Sequence, residues 1–111
     1  MEDGFYGIAF TGHAGSGFGV LVLREGVVVG VDATGTSYDG KFTRNPNGAI
    51  EAQITMNAPA GTVPVQTGIP LAEPMQLPIQ AVLPASAEVE AVMLQTPIGP
   101  VNVAFKRIRG F

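Results

Sequence analysis

Fifteen glycines and nine prolines are spread along 111 residues, and no segment between them holds an apolar period of 3.6 residues. Both residue types break helices. The chain is therefore confined to short extended runs between turns, which is the pattern of an all-β protein. Eight such runs are legible, at residues 4–11, 17–24, 27–32, 37–44, 49–57, 76–83, 88–96 and 101–109.

The turns between them have their own chemistry. Glu25-Gly26 separates two valine-rich runs and reads as a tight hairpin. In "NPNG", Pro46 presets φ, and Asn47-Gly48 accepts positive φ. Alternation then assigns faces. Tyr6, Ile8 and Phe10 share one face of the first run, and Ile50, Ala52, Ile54 and Met56 share one face of the fifth. In the sixth run Leu77, Ile79, Ala81 and Leu83 point inward, with Pro78 on the other phase, where a bulge or a break in pairing is expected. In the seventh, Val89, Ala91 and Met93 are expected inward. Residues 58–74 carry Pro59, Pro64, Pro70 and Pro74 and form the longest irregular stretch.

Eight strands joined mostly by short turns predict a single domain over residues 1–111, an antiparallel up-and-down β-barrel. Closure removes exposed edges, and at eight strands the interior fits side chains or one small ligand. An open sandwich is the alternative. Two runs are apolar on both faces: Phe18, Val20 and Val22 oppose Leu21 and Leu23, and both faces of 27–31 carry valine. One face belongs to the interior, and the other needs a cover. A second copy of the chain predicts Phe18, Val20, Leu21, Leu23, Val27 and Val29 as dimer-interface candidates. The alternative cover is the loop 58–74.

Little in the chain promises chemistry. Charged residues are 14% of the total, low for a soluble domain, so much of the surface is apolar or neutral. A net charge of −3 gives no reason to expect nucleic acid. No run of about 18 apolar residues suggests a membrane helix, and the acidic start Met1-Glu2-Asp3 makes a cytoplasmic protein the expectation. No cysteine is present. The glycines of "TGHAGSGFGV" have P-loop spacing from Gly12 to Gly17, but Phe18 stands where lysine is needed, and a strand follows instead of a helix. Gly12, Gly15 and Gly17 read as a bend, and Gly19 as a strand glycine where a backbone approaches or the wall curves. His13 is the one histidine, with Ser16 nearby but no orienting carboxylate beside it. Asp32 and Tyr38 flank a Gly/Thr loop and are expected to structure it. Glu88 and Glu90 read as a solvated strand face, and "KRIR" at 106–109 as rim charge. No cofactor or metal is expected, and no enzyme activity, because no nucleophile, base and orienter converge.

The segments "DGFYGIAF", "GFGVLVLREGVVVGVD", "SYDGKF" and "VAFKRI", in this order and spacing, resemble the GrlR family of negative regulators of type III secretion. The resemblance is carried by Asp3-Gly4, the hairpin Leu23 to Gly26, Asp32, Tyr38 and Gly40, while residues 45–100 follow only by strand pattern. It implies a lipocalin-like eight-stranded barrel with an apolar cavity, a homodimer, and a cytoplasmic binding protein without catalysis. The acidic loop of alternating Glu and Asp that contacts a transcriptional activator in the family's founding member has no counterpart here; the nearest turn, "NPNG", is uncharged. Two functions follow as expectations: a homodimeric regulator that binds a protein partner, or a carrier of a small apolar or lipid-like ligand. For the carrier, Tyr6, Ile8, Phe10, Ile50, Ile54 and Met56 are the cavity-lining candidates, although an interior filled by side chains is the commoner outcome at this size.

Overall fold

A computed structural model describes residues 1–111. Eight strands make one antiparallel sheet: β1 (Gly4–Gly12), β2 (Gly15–Arg24), β3 (Val27–Asp32), β4 (Ser37–Arg44), β5 (Ile50–Ala58), β6 (Met75–Leu83), β7 (Val92–Thr96) and β8 (Gly99–Arg109). The order across the sheet is β6-β5-β4-β3-β2-β1-β8-β7. The first and last strands pair with each other, and β6 and β7 come together without a ladder between them. The result is an up-and-down barrel, nearly closed, with one seam.

The turn chemistry sets the register. Glu25 (φ 50°) and Gly26 (φ 80°) both take positive φ, as a two-residue hairpin of primed type demands. The β1–β2 bend is tighter than the sequence suggests: Gly12 pairs with Gly15, only His13 and Ala14 lie outside the ladder, and Gly17 is already inside β2. Pro78 causes no bulge. Strands β5 and β6 pair without a shift from Ile50–Leu83 to Ala58–Met75. Strand β6 borders the seam, so an edge strand has alternate N–H groups free, and a proline costs no ladder bond there. The one register shift lies between β1 and β8, where Ile108 is the extra residue between the pairs Phe5–Arg109 and Tyr6–Arg107.

The seventh strand departs most from expectation. Residues Ala85–Glu88 form a 3-10 turn, and β7 begins only at Val92. Its phase is opposite to that read from the sequence: Val89 and Met93 are exposed, while Val92 and Leu94 pack on the core. The Thr96–Gly99 turn sets this phase, because it places Val92 and Leu94 beside the inward Val103 and Val101.

Strands that start at one end of a barrel return to it two strands later, so the loops gather at two ends. At the end holding both chain termini the interior is solid, with Tyr6, Ile50, Val28 and Leu23 almost wholly buried. A clasp closes this end. The Tyr6 hydroxyl donates to the Glu2 carbonyl. Asp3 accepts from the Glu25 amide (2.9 Å) and from Arg44 (2.7 Å), and Arg44 also donates to the Met1 carbonyl (3.0 Å). These bonds hold the Asp3 carboxyl below the usual carboxylate range, the Glu25 amide being the larger cause. A depressed folded pKa gives stability that is complete above the unfolded value near 3.9 and is lost as pH falls through the folded value. Asp3→Asn is therefore expected to lower the urea midpoint at neutral pH and to leave it unchanged once pH is well below the folded value. The difference stays under about 1 kcal/mol, since Asp3 and Arg44 are both partly exposed and screened.

Candidate functional site: a hollow barrel with a polar mouth

Above the solid end the barrel is hollow. A cavity of about 670 Å³ occupies the other half, and nineteen of its twenty-nine lining residues are hydrophobic. The deep wall is made by inward side chains such as Ile8, Leu21, Ile54, Met56, Ile79 and Phe105. The expectation of a filled interior is thus overturned. The reason is side-chain size: Gly17, Gly19, Ala58 and Ala81 stand at inward positions where larger residues would have filled the space. Glycine also lets neighbouring strands approach closely. A Cβ on Gly19 would come within 2.5 Å of the Val31 carbonyl oxygen, and one on Gly40 would collide with the Gln53 carbonyl oxygen. Adjacent strands can approach this closely only where no side chain intervenes.

The six cavity candidates from the sequence divide by depth. Ile8, Phe10, Ile54 and Met56 line the cavity. Tyr6 and Ile50 point inward as expected, but they belong to the packed end and line only a void of about 20 Å³ beneath the cavity. The dimer candidates also divide. Leu21 and Leu23 are buried inside the barrel and are not available to a second copy, because alternation turns them inward. Phe18, Val20, Val27 and Val29 are exposed.

Residues 59–74 lie at the mouth and not on the outer face of β2 and β3. The Ala14 amide donates to the Val65 carbonyl (2.7 Å), and Gly12 lacks the Cβ that would strike that same peptide. On the other side Gln66 reaches Thr96 (3.4 Å). Gly61 donates to the Leu71 carbonyl and Leu71 to the Thr62 carbonyl, both at 2.8 Å, which ties the segment into a compact strap. Thr62, Val63, Pro64, Val65 and Gln66 of the strap line the cavity. This placement is not legible from the residues, since an irregular proline-rich segment has no periodicity from which to read a facing side.

The polar residues of the mouth centre on Asp32, at the end of β3. Its Oδ1 accepts from the Thr34 amide (2.9 Å), the Thr34 hydroxyl (2.6 Å) and the Thr36 amide (3.3 Å). Its Oδ2 accepts from the Tyr38 hydroxyl alone (2.7 Å). Asp32 therefore ties the 33–36 loop to β4, and it lines the cavity together with Thr34, Thr36 and Tyr38. Burial, and then the adjacent Asp32 carboxylate, push the Tyr38 phenol far above its ordinary range, so it stays a protonated donor. One buried polar atom has no partner: the Oγ1 of Thr62, on the strap. An unsatisfied buried hydroxyl costs about 1–3 kcal/mol.

His13 and Glu90 lie outside the cavity lining, and the lining contains no lysine, arginine or histidine. No cluster of three or more His, Cys, Asp or Glu side chains could hold a metal ion. No helix is long and apolar enough to cross a membrane. Comparison with protein-family models, curated proteins and solved structures finds no match for the chain.

Proposed function

We propose that this chain is a non-catalytic binding protein that holds a small apolar molecule inside its barrel. The observation that carries this reading is the cavity of about 670 Å³ with its apolar wall. Its volume falls among those of small-molecule sites, which run from about 300 to 1,000 Å³. An apolar wall of this extent lacks side-chain packing partners across the cavity, and a ligand supplies them. The polar groups of the mouth favour binding over catalysis. Asp32 is bonded to the loop and to Tyr38 and orients no base, and Ser16 has no histidine or carboxylate bonded to it. The test is titration of the purified protein with the neutral dye Nile red, alongside native mass spectrometry. Saturable binding of one dye per barrel at micromolar concentration is expected. Absence of saturable binding in protein freed of any co-purified ligand would refute the reading.

A second reading, a homodimer that occupies a regulatory protein partner, is favoured by the outer face of β2 and β3. Phe18 is 67% exposed and Val31 51%, with Val20, Val27 and Val29 between and beside them. The register sets Val20 against Val31 and Val22 against Val29, so the side chains form one continuous patch. The strap lies at the mouth and leaves that patch uncovered. An isologous contact through it would bury the apolar area. Sedimentation velocity is expected to give a dimer at micromolar concentration and a monomer for Val29→Glu. A monomeric wild type would exclude the dimer.

A further inference from the structure

The cavity wall says what shape of molecule fits, and the mouth says what charge it can carry. Among the lining residues the groups able to ionise are Asp32 and Tyr38, and Tyr38 is bonded to Asp32. Asp32 has no ion-pair partner; the salt bridges of the chain are Arg44–Asp3 and Arg107–Glu2, both away from the mouth. The mouth is thus a buried negative charge held by neutral donors.

The donors around Asp32 and Thr96 are committed. The Thr34 hydroxyl donates to Asp32, the Thr96 hydroxyl donates to the Gly99 carbonyl (2.6 Å), and the Gln66 amide reaches Thr96. Acceptor capacity remains. A carboxylate offers about four lone-pair sites, and Oδ2 of Asp32 uses one. The Tyr38 oxygen donates its proton and keeps its own lone pairs. Thr62 lines the cavity, and its Oγ1 is buried with no partner at all.

Resting on the carrier reading, we infer that the site takes an amphiphile whose head donates hydrogen bonds and carries no negative charge. A long-chain alcohol, a monoacylglycerol or a long-chain amine meets this description. The tail lies against the apolar wall, and the head meets Asp32 Oδ2 and Thr62 Oγ1. A fatty acid or a phospholipid with an anionic head is rejected. Its charge would sit beside Asp32 in a site of low dielectric with no cation to pair it, and like charges at close range repel strongly there. The free hydroxyl of Thr62 gives the head a bond that the empty protein lacks, so polar recognition adds to the apolar contact.

The experiment is displacement of Nile red from the full chain at pH 8 by dodecan-1-ol, dodecylamine and dodecanoate, each below its aggregation limit. At this pH the carboxylate is ionised and the amine protonated. Dodecanol and dodecylamine are expected to bind at least tenfold more tightly than dodecanoate. Thr62→Val, which removes the hydroxyl and keeps the shape, is expected to weaken dodecanol several times more than it weakens Nile red. Asp32→Asn is expected to narrow the gap between alcohol and carboxylate. If loss of the loop bonds unfolds that variant, the wild-type ranking and Thr62→Val decide the matter without it. Nile red bound normally but displaced equally well by dodecanoate and dodecanol would overturn the charge rule and leave the carrier reading intact. Failure of the wild type to bind Nile red or any of the three amphiphiles would overturn both.

Discussion

Gly40→Val is expected to abolish cooperative folding or to lower stability by about 3 kcal/mol or more. A side chain on Gly40 would strike the Gln53 carbonyl oxygen and approach the Ile54 Cα to 2.8 Å, and both are backbone atoms of the neighbouring strand. No rotamer change relieves such a contact, so β4 and β5 must part along a ladder of eight residue pairs. Gly7→Ala is the comparison. Gly7 is also a strand glycine, but the nearest neighbour of its added methyl is the Lys106 carbonyl oxygen at 3.8 Å, an ordinary contact. That change is expected to be neutral or stabilising by up to about 1 kcal/mol through the unfolded chain. Urea unfolding followed by circular dichroism measures both. Equal stability of the two variants would mean that β4 and β5 do not approach as described.

Ala81→Phe is expected to weaken Nile red binding about a hundredfold, or about 2.7 kcal/mol, while the chain still folds. Ala81 is buried on the cavity wall, on the edge strand β6, and pairs with Ala52. A ring placed there enters empty space and takes the volume a ligand needs. Because it fills a void and displaces no packed neighbour, stability is expected to change by less than about 1.5 kcal/mol. Binding assay and urea unfolding on the same preparation separate the two effects. Full dye binding by a folded variant would place the dye outside the cavity and remove the support for a carrier.

The parts of the fold legible in the sequence are those where a turn or an alternation acts locally. Strands β3 and β4 have the bounds expected of them, because Glu25-Gly26 and the "NPNG" turn punctuate the chain on one side of each. The inward rows of β1, β5 and β6 follow from period two alone. Strand β7 takes the phase opposite to the expected one; Val89, Ala91 and Met93 alternate as cleanly as Val92 and Leu94 do. Only the cross-strand register with β8 decides between the two phases, and that is not a local property. The cavity follows from volumes summed over several strands. Its signal was present in the small residues Gly17, Gly19, Ala58 and Ala81 at inward positions, but no single run contains enough of them to reveal a void. Asp32 and Tyr38 were legible as a pair that orders a loop. Their place at the mouth, and the part of Thr62, depend on where the strap lies across the barrel.

The seam also bears on how the chain reaches this state. Every hydrogen-bonded strand pair joins neighbours in sequence except β1 with β8, which matches Phe5 to Arg109. The one pair of consecutive strands without a ladder is β6 and β7. Six ladders can therefore form as local hairpins, while the seventh must bring together ends about a hundred residues apart and bear the entropy of that loop closure. The two ends are already bonded in the folded chain, since Arg107 donates to the Asp3 carbonyl (3.0 Å). A circular permutant opened between Leu83 and Val92, with residues 111 and 1 joined by a short linker, would turn all seven ladders into sequence neighbours. It would keep the same native contacts at a lower contact order and would fold faster, and the difference in rate would measure how much of the barrier is the meeting of the first strand with the last.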